Sequence, residues 1–184
     1  MASAFTHAFV ALAAGRVYSS PAGVPARFWV LSALCAVMPD ADVLAFVFRV
    51  PYGAVLGHRG LTHSLAFALL TGVVVVLAFF RGEGFGKGAL VVYFFLVTAS
   101  HGVLDALTDG GLGVAFFAPF DPTRYFFPWR PLVVSPIGVG SFFSGWGLAV
   151  ILSEFVWVWL PSLLFVFVAL ALRRPRRGRA ADGH

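Results

Sequence analysis

Long apolar runs separated by short polar interruptions dominate the chain, and the polar residues recur in a few places. Ala2 to Ala14 reads as a short helical stretch with His7 near its start. At about 1.5 Å per residue it is marginal as a membrane span, so half-insertion or packing against neighbours is expected. Gly15 to Ala26, with two Pro and two Ser, reads as a loop. Phe28 to Met38 is helical, and Pro39 ends or kinks that helix where Asp40 and Asp42 appear. Ala41 to Val50 continues as a further helical piece before the Gly-rich loop Pro51 to Gly60. Leu61 to Phe80 spans comfortably, with Thr62 or Ser64 placed to cap its start. After the polar turn Arg81 to Lys87, Gly88 to Leu107 forms another span with His101 and Asp105 on its last two turns. Gly110 to Gly140 holds five Pro and many aromatics and cannot be helical throughout. Non-helical backbone at membrane depth survives only against protein or water, so an interfacial flap lining a site is expected there. Phe142 to Leu172 is the longest apolar run, interrupted by Glu154 and Pro161. The pattern predicts an all-α polytopic membrane protein of about five segments, with a non-helical Pro/aromatic-rich loop between the last two.

Composition sharpens that reading. The 184 residues are 60% hydrophobic and 11% charged, with a mean hydropathy of +0.91. A soluble domain typically carries about 25% charge, so an ordinary soluble fold is excluded. The single Cys35 sits in an apolar run, leaving no internal disulfide and no Cys-based zinc motif. Met1 to Ala14 has no basic n-region and carries His7, so it reads as retained, not as a cleaved signal. Of the 13 basic residues, Arg173, Arg174, Arg176, Arg177 and Arg179 crowd the end of the chain. A basic cluster directly after an apolar run marks topology and anionic lipid, and no nucleic-acid partner is expected. Residues 1–172 are thus expected to form one integral-membrane domain, with 173–184 a basic cytoplasmic tail. With the tail inside, alternation places nine basic residues inside and four (Arg49, Arg59, Arg124, Arg130) outside. His7, Asp40, Asp42, His58, His63, His101, Asp105, Asp109 and Asp121 then all fall near the outer face.

That clustering carries the chemistry. Asp40, Asp42, Asp105 and Asp109 are four of the eight carboxylates, and His58, His63 and His101 are three of the five histidines. Ionisable groups near lipid are expensive unless paired or metal-bound. His101 and Asp105, four apart on a helix, project from one face, as two metal ligands or as a His oriented by a carboxylate. Asp40 and Asp42 converge from an irregular turn, and a loop-to-helix junction brings His58 and His63 together. Imidazole plus carboxylate without thiolate fits Zn, with Mn or Fe as alternatives. The donor count, His7 included as either a ligand or a satisfied core histidine, exceeds one four-coordinate site and points to a two-metal centre that clamps a phosphoester. His63 and Asp109 are placed as acid–base groups, although Asp109 before Gly110-Gly111 is equally a turn residue. Arg59, with Arg124 and Arg130, is placed to pair with an anionic substrate. Glu154 has no sequence neighbour to pair with; a buried hydrogen-bond acceptor and a residue near the outer interface both remain open.

Pro39-Asp40-x-Asp42, His58-Arg59-x-x-Thr62-His63-Ser64 and His101-x-x-x-Asp105 resemble the YdjM-like group of inner-membrane proteins classed as metal-dependent hydrolases. The resemblance runs from His7 to about Ser135. It implies a helical, multi-pass inner-membrane protein with hydrolase activity. The His101-x-x-x-Asp105 spacing is also similar to the zinc-dependent phospholipase C and single-strand nuclease group, whose later His-x-x-x-Glu pair has no counterpart here. The expected function is hydrolysis, at the outer membrane–water interface, of a phosphoester or lipid-like substrate, with membrane lipid or another anionic molecule as partner. Two alternatives stay open. One is a metal-free lipid phosphatase with His101 as nucleophile, although Lys-x6-Arg-Pro and Ser-Gly-His are absent. The other is a non-enzymatic metal or proton carrier or regulatory membrane protein.

Overall fold

The computed structural model describes residues 1–19, 23–82 and 86–173; the basic tail beyond Arg173 lies outside them. Among these residues the regular structure is entirely helical, apart from isolated bridges pairing Thr108 with Leu132 and Val114 with Tyr125. The helices are α1 (Ala4–Tyr18), α2 (Ala26–Val37, continuing as a 3₁₀ stretch Met38–Phe46), α3 (Leu65–Phe79), α4 (Lys87–Ala106), the single turn α5 (Val139–Phe142), α6 (Gly145–Glu154) and α7 (Leu160–Arg173). A π-helical turn, Phe155–Trp159, joins α6 to α7. Three continuous helices are long and apolar enough to cross a membrane: Ala26–Phe46, Lys87–Ala106 and Gly145–Arg173. The other two expected segments, α1 and α3, are helices of 15 residues each, short of the about 20 that a hydrocarbon core needs.

Local chemistry sets the boundaries. Ser3 caps α1 by accepting the Thr6 N–H, and Ser64, not Thr62, caps α3 by accepting that of Phe67. Pro39 has no N–H to donate, and from there the chain winds more tightly, as 3₁₀. Between α4 and α5, residues 107–138 contain no helix.

Two ends of the bundle differ in character. At one, Phe28, Phe80, Leu90, Tyr93 and Phe94 pack as an aromatic and aliphatic core. The Tyr93 hydroxyl, 2.8 Å from Ser32 Oγ, ties α4 to α2. α3 and α4 approach closely because Gly72 has no side chain: a Cβ there would lie 2.8 Å from the Val91 carbonyl oxygen. At the other end lie the start of α1, the end of α2, the start of α3, the end of α4 and the start of α6–α7. Every cluster residue named from the sequence sits on these terminal segments or on the loops joining them.

Glu154 explains how α1 is held there. Its fully buried carboxyl group accepts from the Ser3 N–H and from the hydroxyls of Ser3 (2.6 Å) and Thr6 (2.7 Å). Trp159 Nε1–H then donates to Thr6 Oγ1 at 2.7 Å. The buried-acceptor alternative for Glu154 is therefore the one realised. The π turn that follows Glu154 adds one residue to that turn of the last helix and brings Trp159 onto α1. Glu154→Ala leaves two buried hydroxyls and a backbone N–H without an acceptor, and is expected to cost at least about 3 kcal/mol. Glu154→Gln keeps a carbonyl acceptor and should cost less. Thermal unfolding of the detergent-purified variants checks the order.

Candidate metal centre

Four buried side chains converge where α2, α3 and α4 meet. One ligand atom each from Asp40, His63, His101 and Asp105 lies within 4.8 Å of the other three. His101 Nε2 is 3.2 Å from Asp40 Oδ1, and His63 Nε2 is 3.8 Å from Asp40 Oδ1 and 3.6 Å from Asp105 Oδ2. Ligand atoms about 2.0–2.2 Å from a tetrahedral centre stand about 3.3–3.6 Å apart, so the spacing suits one ion.

The backbone prepares this arrangement. In 3₁₀ winding an N–H reaches only three residues back, so carbonyls near the end of α2 lose their four-back donors. The Ala36 carbonyl instead accepts from His101 Nδ1 at 2.6 Å, which fixes the tautomer and leaves Nε2 with its lone pair toward Asp40. A Cβ on Gly102 would lie 3.0 Å from the His63 carbonyl oxygen, so glycine lets α4 come against that segment.

Asp42 performs the same service for the two loop histidines. Its Oδ1 is 2.6 Å from His58 Nδ1, and its Oδ2 is 3.1 Å from His63 Nδ1. Oδ2 also accepts the Arg59 N–H at 3.0 Å and the Thr62 hydroxyl at 2.7 Å. Asp42, His58 and His63 form a second group whose atoms are close enough to hold an ion. However, 2.6 Å is a hydrogen-bond length, shorter than the separation of two ligands on one centre. That trio is bonded to itself, and His58 Nε2 is left buried without a partner. His58 lines a cavity of about 390 Å³ with Tyr52, Gly111, Ser135, Ser141 and Trp146.

The polar accounting fits a cation. Asp40 Oδ2 and His63 Nε2 are buried without a hydrogen-bond partner, and Asp105 Oδ2 has only its ion pair with Arg59; such groups are costly unless coordinated. The buried carboxylates of Asp40, Asp42 and Asp105 outnumber the buried Arg59 guanidinium and the Met1 ammonium near Asp105, and a bound cation would offset the remaining negative charge. Burial alone would lower the His63 pKa, but the adjoining carboxylates of Asp105, Asp40 and Asp42 outweigh that and raise it to about 10. A proton held on His63 would compete with a metal for its lone pair.

Other expected residues are placed differently. His7 is buried and stacks on His101 with ring centroids 3.6 Å apart; its Nε2 is 3.5 Å from Asp105 Oδ1, and neither ring nitrogen has a hydrogen-bond partner. It backs the centre without being one of the four converging groups. Asp109 is exposed, its Oδ1 accepting the Val134 N–H and its own N–H donating to the Leu132 carbonyl; the turn alternative describes it. Asp121 is likewise remote, its Oδ1 accepting the Thr123 N–H.

Arg59 needs correction as a substrate clamp. Its guanidinium is fully buried and engaged on three sides: Nε lies 3.1 Å from Asp105 Oδ2, and the terminal nitrogens donate to the Gly110 carbonyl (2.9 Å) and Thr108 Oγ1 (3.0 Å). Its backbone is left-handed, φ +62°, and is pinned by Asp42 on its N–H and by Ala115 on its carbonyl. Arg124 is a staple too, donating to the carbonyls of His58, Tyr52 and Ala54. Arg130 alone of the three is exposed, over the Phe126 ring. Thr62, Thr108 and the Ala36 carbonyl were not foreseen as site groups. Only Thr62, inside the His-Arg-x-x-Thr-His motif, carried a signal for it.

Comparison with known proteins agrees with this setting. The description of the YdjM inner membrane protein family matches residues 1–176. The chain is also 40% identical over 169 residues to "Inner membrane protein YbcI" of Escherichia coli (strain K12), covering 90% of this chain and 95% of that protein. No solved structure matches. The chain belongs to the YdjM inner membrane protein family, and the inner membrane is its location.

Two predictions follow from the geometry. Because His63 must release its proton to bind a metal, metal affinity should rise about tenfold per pH unit from pH 6 towards pH 9, with about one proton released per ion. Calorimetry in buffers of different ionisation enthalpy measures both. Arg59→Lys cannot replace three directed contacts and should lower thermal stability by about 2–4 kcal/mol, reducing metal retention with it. Unchanged stability and metal content would return Arg59 to substrate binding.

Proposed function

We propose that this protein is a membrane-embedded, metal-dependent hydrolase of a phosphoester or lipid-like substrate, with Asp40, His63, His101 and Asp105 holding one divalent ion. The observation that carries the reading is the convergence of four buried donors, two of which, Asp40 and His63, offer a buried atom left without a hydrogen-bond partner. Donors of imidazole and carboxylate type fit Zn best, and they also accommodate Mn or Fe. A bound ion supplies Lewis acidity and lowers the pKa of water at its open position.

His58 is the proton-handling group in this reading. Its Nδ1 is 2.6 Å from Asp42 Oδ1, which sets the tautomer, its Nε2 is buried without a protein partner, and the residue lines the more polar cavity. A histidine oriented by a carboxylate, with the opposite nitrogen free, is the arrangement a general base requires. The metal-free alternative needs a His101 nitrogen open to substrate. Instead His101 is fully buried, with Nδ1 on the Ala36 carbonyl and Nε2 against Asp40.

Charge supports an outward-facing site. Among the described residues Arg16, Arg27, Arg81, Lys87 and Arg173 belong to the end of the bundle opposite the cluster, and the remaining tail arginines follow Arg173 in sequence. By the positive-inside rule that end is cytoplasmic.

The decisive experiment compares variants for metal and for hydrolysis of bis-(p-nitrophenyl) phosphate and of phospholipid in mixed micelles. His101→Ala and Asp105→Asn should lose metal and activity together. His58→Ala should keep its metal and lose about 10²–10⁴-fold in kcat. Loss of metal from His58→Ala would make His58 a ligand, and absence of metal from carefully prepared wild-type protein would end the hydrolase reading.

A further inference from the structure

A second cavity reaches the centre from a different direction. Leu31, Leu34 and Cys35 of α2 and Thr71 and Val75 of α3 line a cleft of about 580 Å³ to which Asp40 also contributes. Apart from Asp40 and Thr71 its named walls are apolar, and it lies along Ala26–Phe46, one of the helices able to cross the membrane. It is an open groove: Leu34 is 59% exposed at its edge, whereas Thr71 and Val75 are each 8% exposed along its floor. The cavity beside His58 differs in character, with Tyr52, Ser135, Ser141 and Trp146 in its wall.

We propose that this cleft is a lateral entry site for one acyl chain of a phospholipid, which delivers its phosphoester headgroup towards Asp40. Three observations select that occupant. The groove lies along a helix long and apolar enough to cross a membrane, so on the membrane-embedded reading an acyl chain enters it without leaving hydrocarbon. The volume falls within the about 300–1,000 Å³ of small-ligand pockets, whereas a partner helix is about 10 Å across and cannot enter. Asp40, whose Oδ2 is buried and unpartnered, is the one charged residue lining the otherwise apolar groove, so a ligand filling the groove meets a polar group there. The His58 cavity then serves water and the released polar product. The substrate is thereby narrowed to a membrane amphiphile, an inference that rests on the hydrolase reading for the chemistry at Asp40 but not for occupancy of the cleft.

The test is photolabelling in vesicles with phosphatidylglycerol carrying a mid-chain diazirine, with the equivalent diacylglycerol as the arm lacking a phosphate. Metal content and phospholipid hydrolysis of the same protein are measured in parallel. Crosslinks should concentrate severalfold on residues 31–41 and 71–75 over the exposed Leu163 and Leu164 of α7. Phosphatidylglycerol should label the cleft severalfold more than diacylglycerol. Thr71→Trp, which fills the floor, and Leu34→Trp, which narrows the edge, should each reduce cleft labelling severalfold while leaving α7 labelling and metal content unchanged. Even labelling of cleft and α7, equal labelling by the two probes, or labelling that persists in both variants would overturn the proposal. Cleft labelling as expected in protein that holds metal but hydrolyses no phospholipid would uphold the lipid site and overturn the hydrolase reading alone.

Discussion

Three carboxylates buried among apolar helices are the constraint on which the rest of the structure depends. Asp40, Asp42 and Asp105 are each under 10% exposed, in a chain whose surroundings offer them almost no water. Charge in that position is stable only with opposite charge, directed hydrogen bonds, or a metal. Each carboxylate finds a different remedy. Asp42 is satisfied by four protein donors: two histidine rings, a backbone N–H and a hydroxyl. Asp105 is shared between the Ala2 N–H and Arg59. Asp40 is left with His101 and His63 and with an unpartnered oxygen. The least satisfied edges of the three, together with His63 and His101, define the centre.

The irregular parts of the fold serve that arrangement. The tightened winding after Pro39 frees the carbonyl that orients His101, and the left-handed turn at Arg59 aims its N–H at Asp42 while its side chain crosses to Asp105. Arg124 holds the loop that carries His58 by three of its carbonyls. Glu154 brings the start of α1 over the cluster, setting His7 against His101. Strain and buried polarity of this kind persist only where surrounding contacts over-determine them, and here the two regions coincide.

The centre is flanked by two unlike cavities, an apolar one lined in part by Asp40 and a more polar one lined in part by His58. On the proposed reading this separation suits hydrolysis of an amphiphile: the chain stays at hydrocarbon depth, while water and the polar product use the other side. It also gives the two halves of the His58-Arg59-x-x-Thr62-His63 motif different work. On that reading His63 joins the four converging donors and His58, which lines the more polar cavity, handles the proton, both oriented by one carboxylate.

Helix content, inner-membrane character and the co-location of Asp40, Asp42, His58, His63, His101 and Asp105 were legible from the chain alone. Apolar runs of membrane length and a scarcity of charge leave little freedom in where polar groups gather. The i, i+4 spacing of His101 and Asp105 placed both on one face before any tertiary contact was known. Roles within the cluster were not legible, because a role depends on which atom faces which neighbour. Asp42 and His58 share the composition of ligands, yet a 2.6 Å contact makes them partners of each other. Arg59 stands in the motif like an anion clamp, yet complete burial and three protein partners turn it into a staple. Glu154 has no sequence neighbour to pair with, and its partners come from 148 and 151 residues away. Sequence proximity and periodicity determine which groups share an end of the bundle; only long-range packing decides the direction of each lone pair, and coordination chemistry depends on that direction.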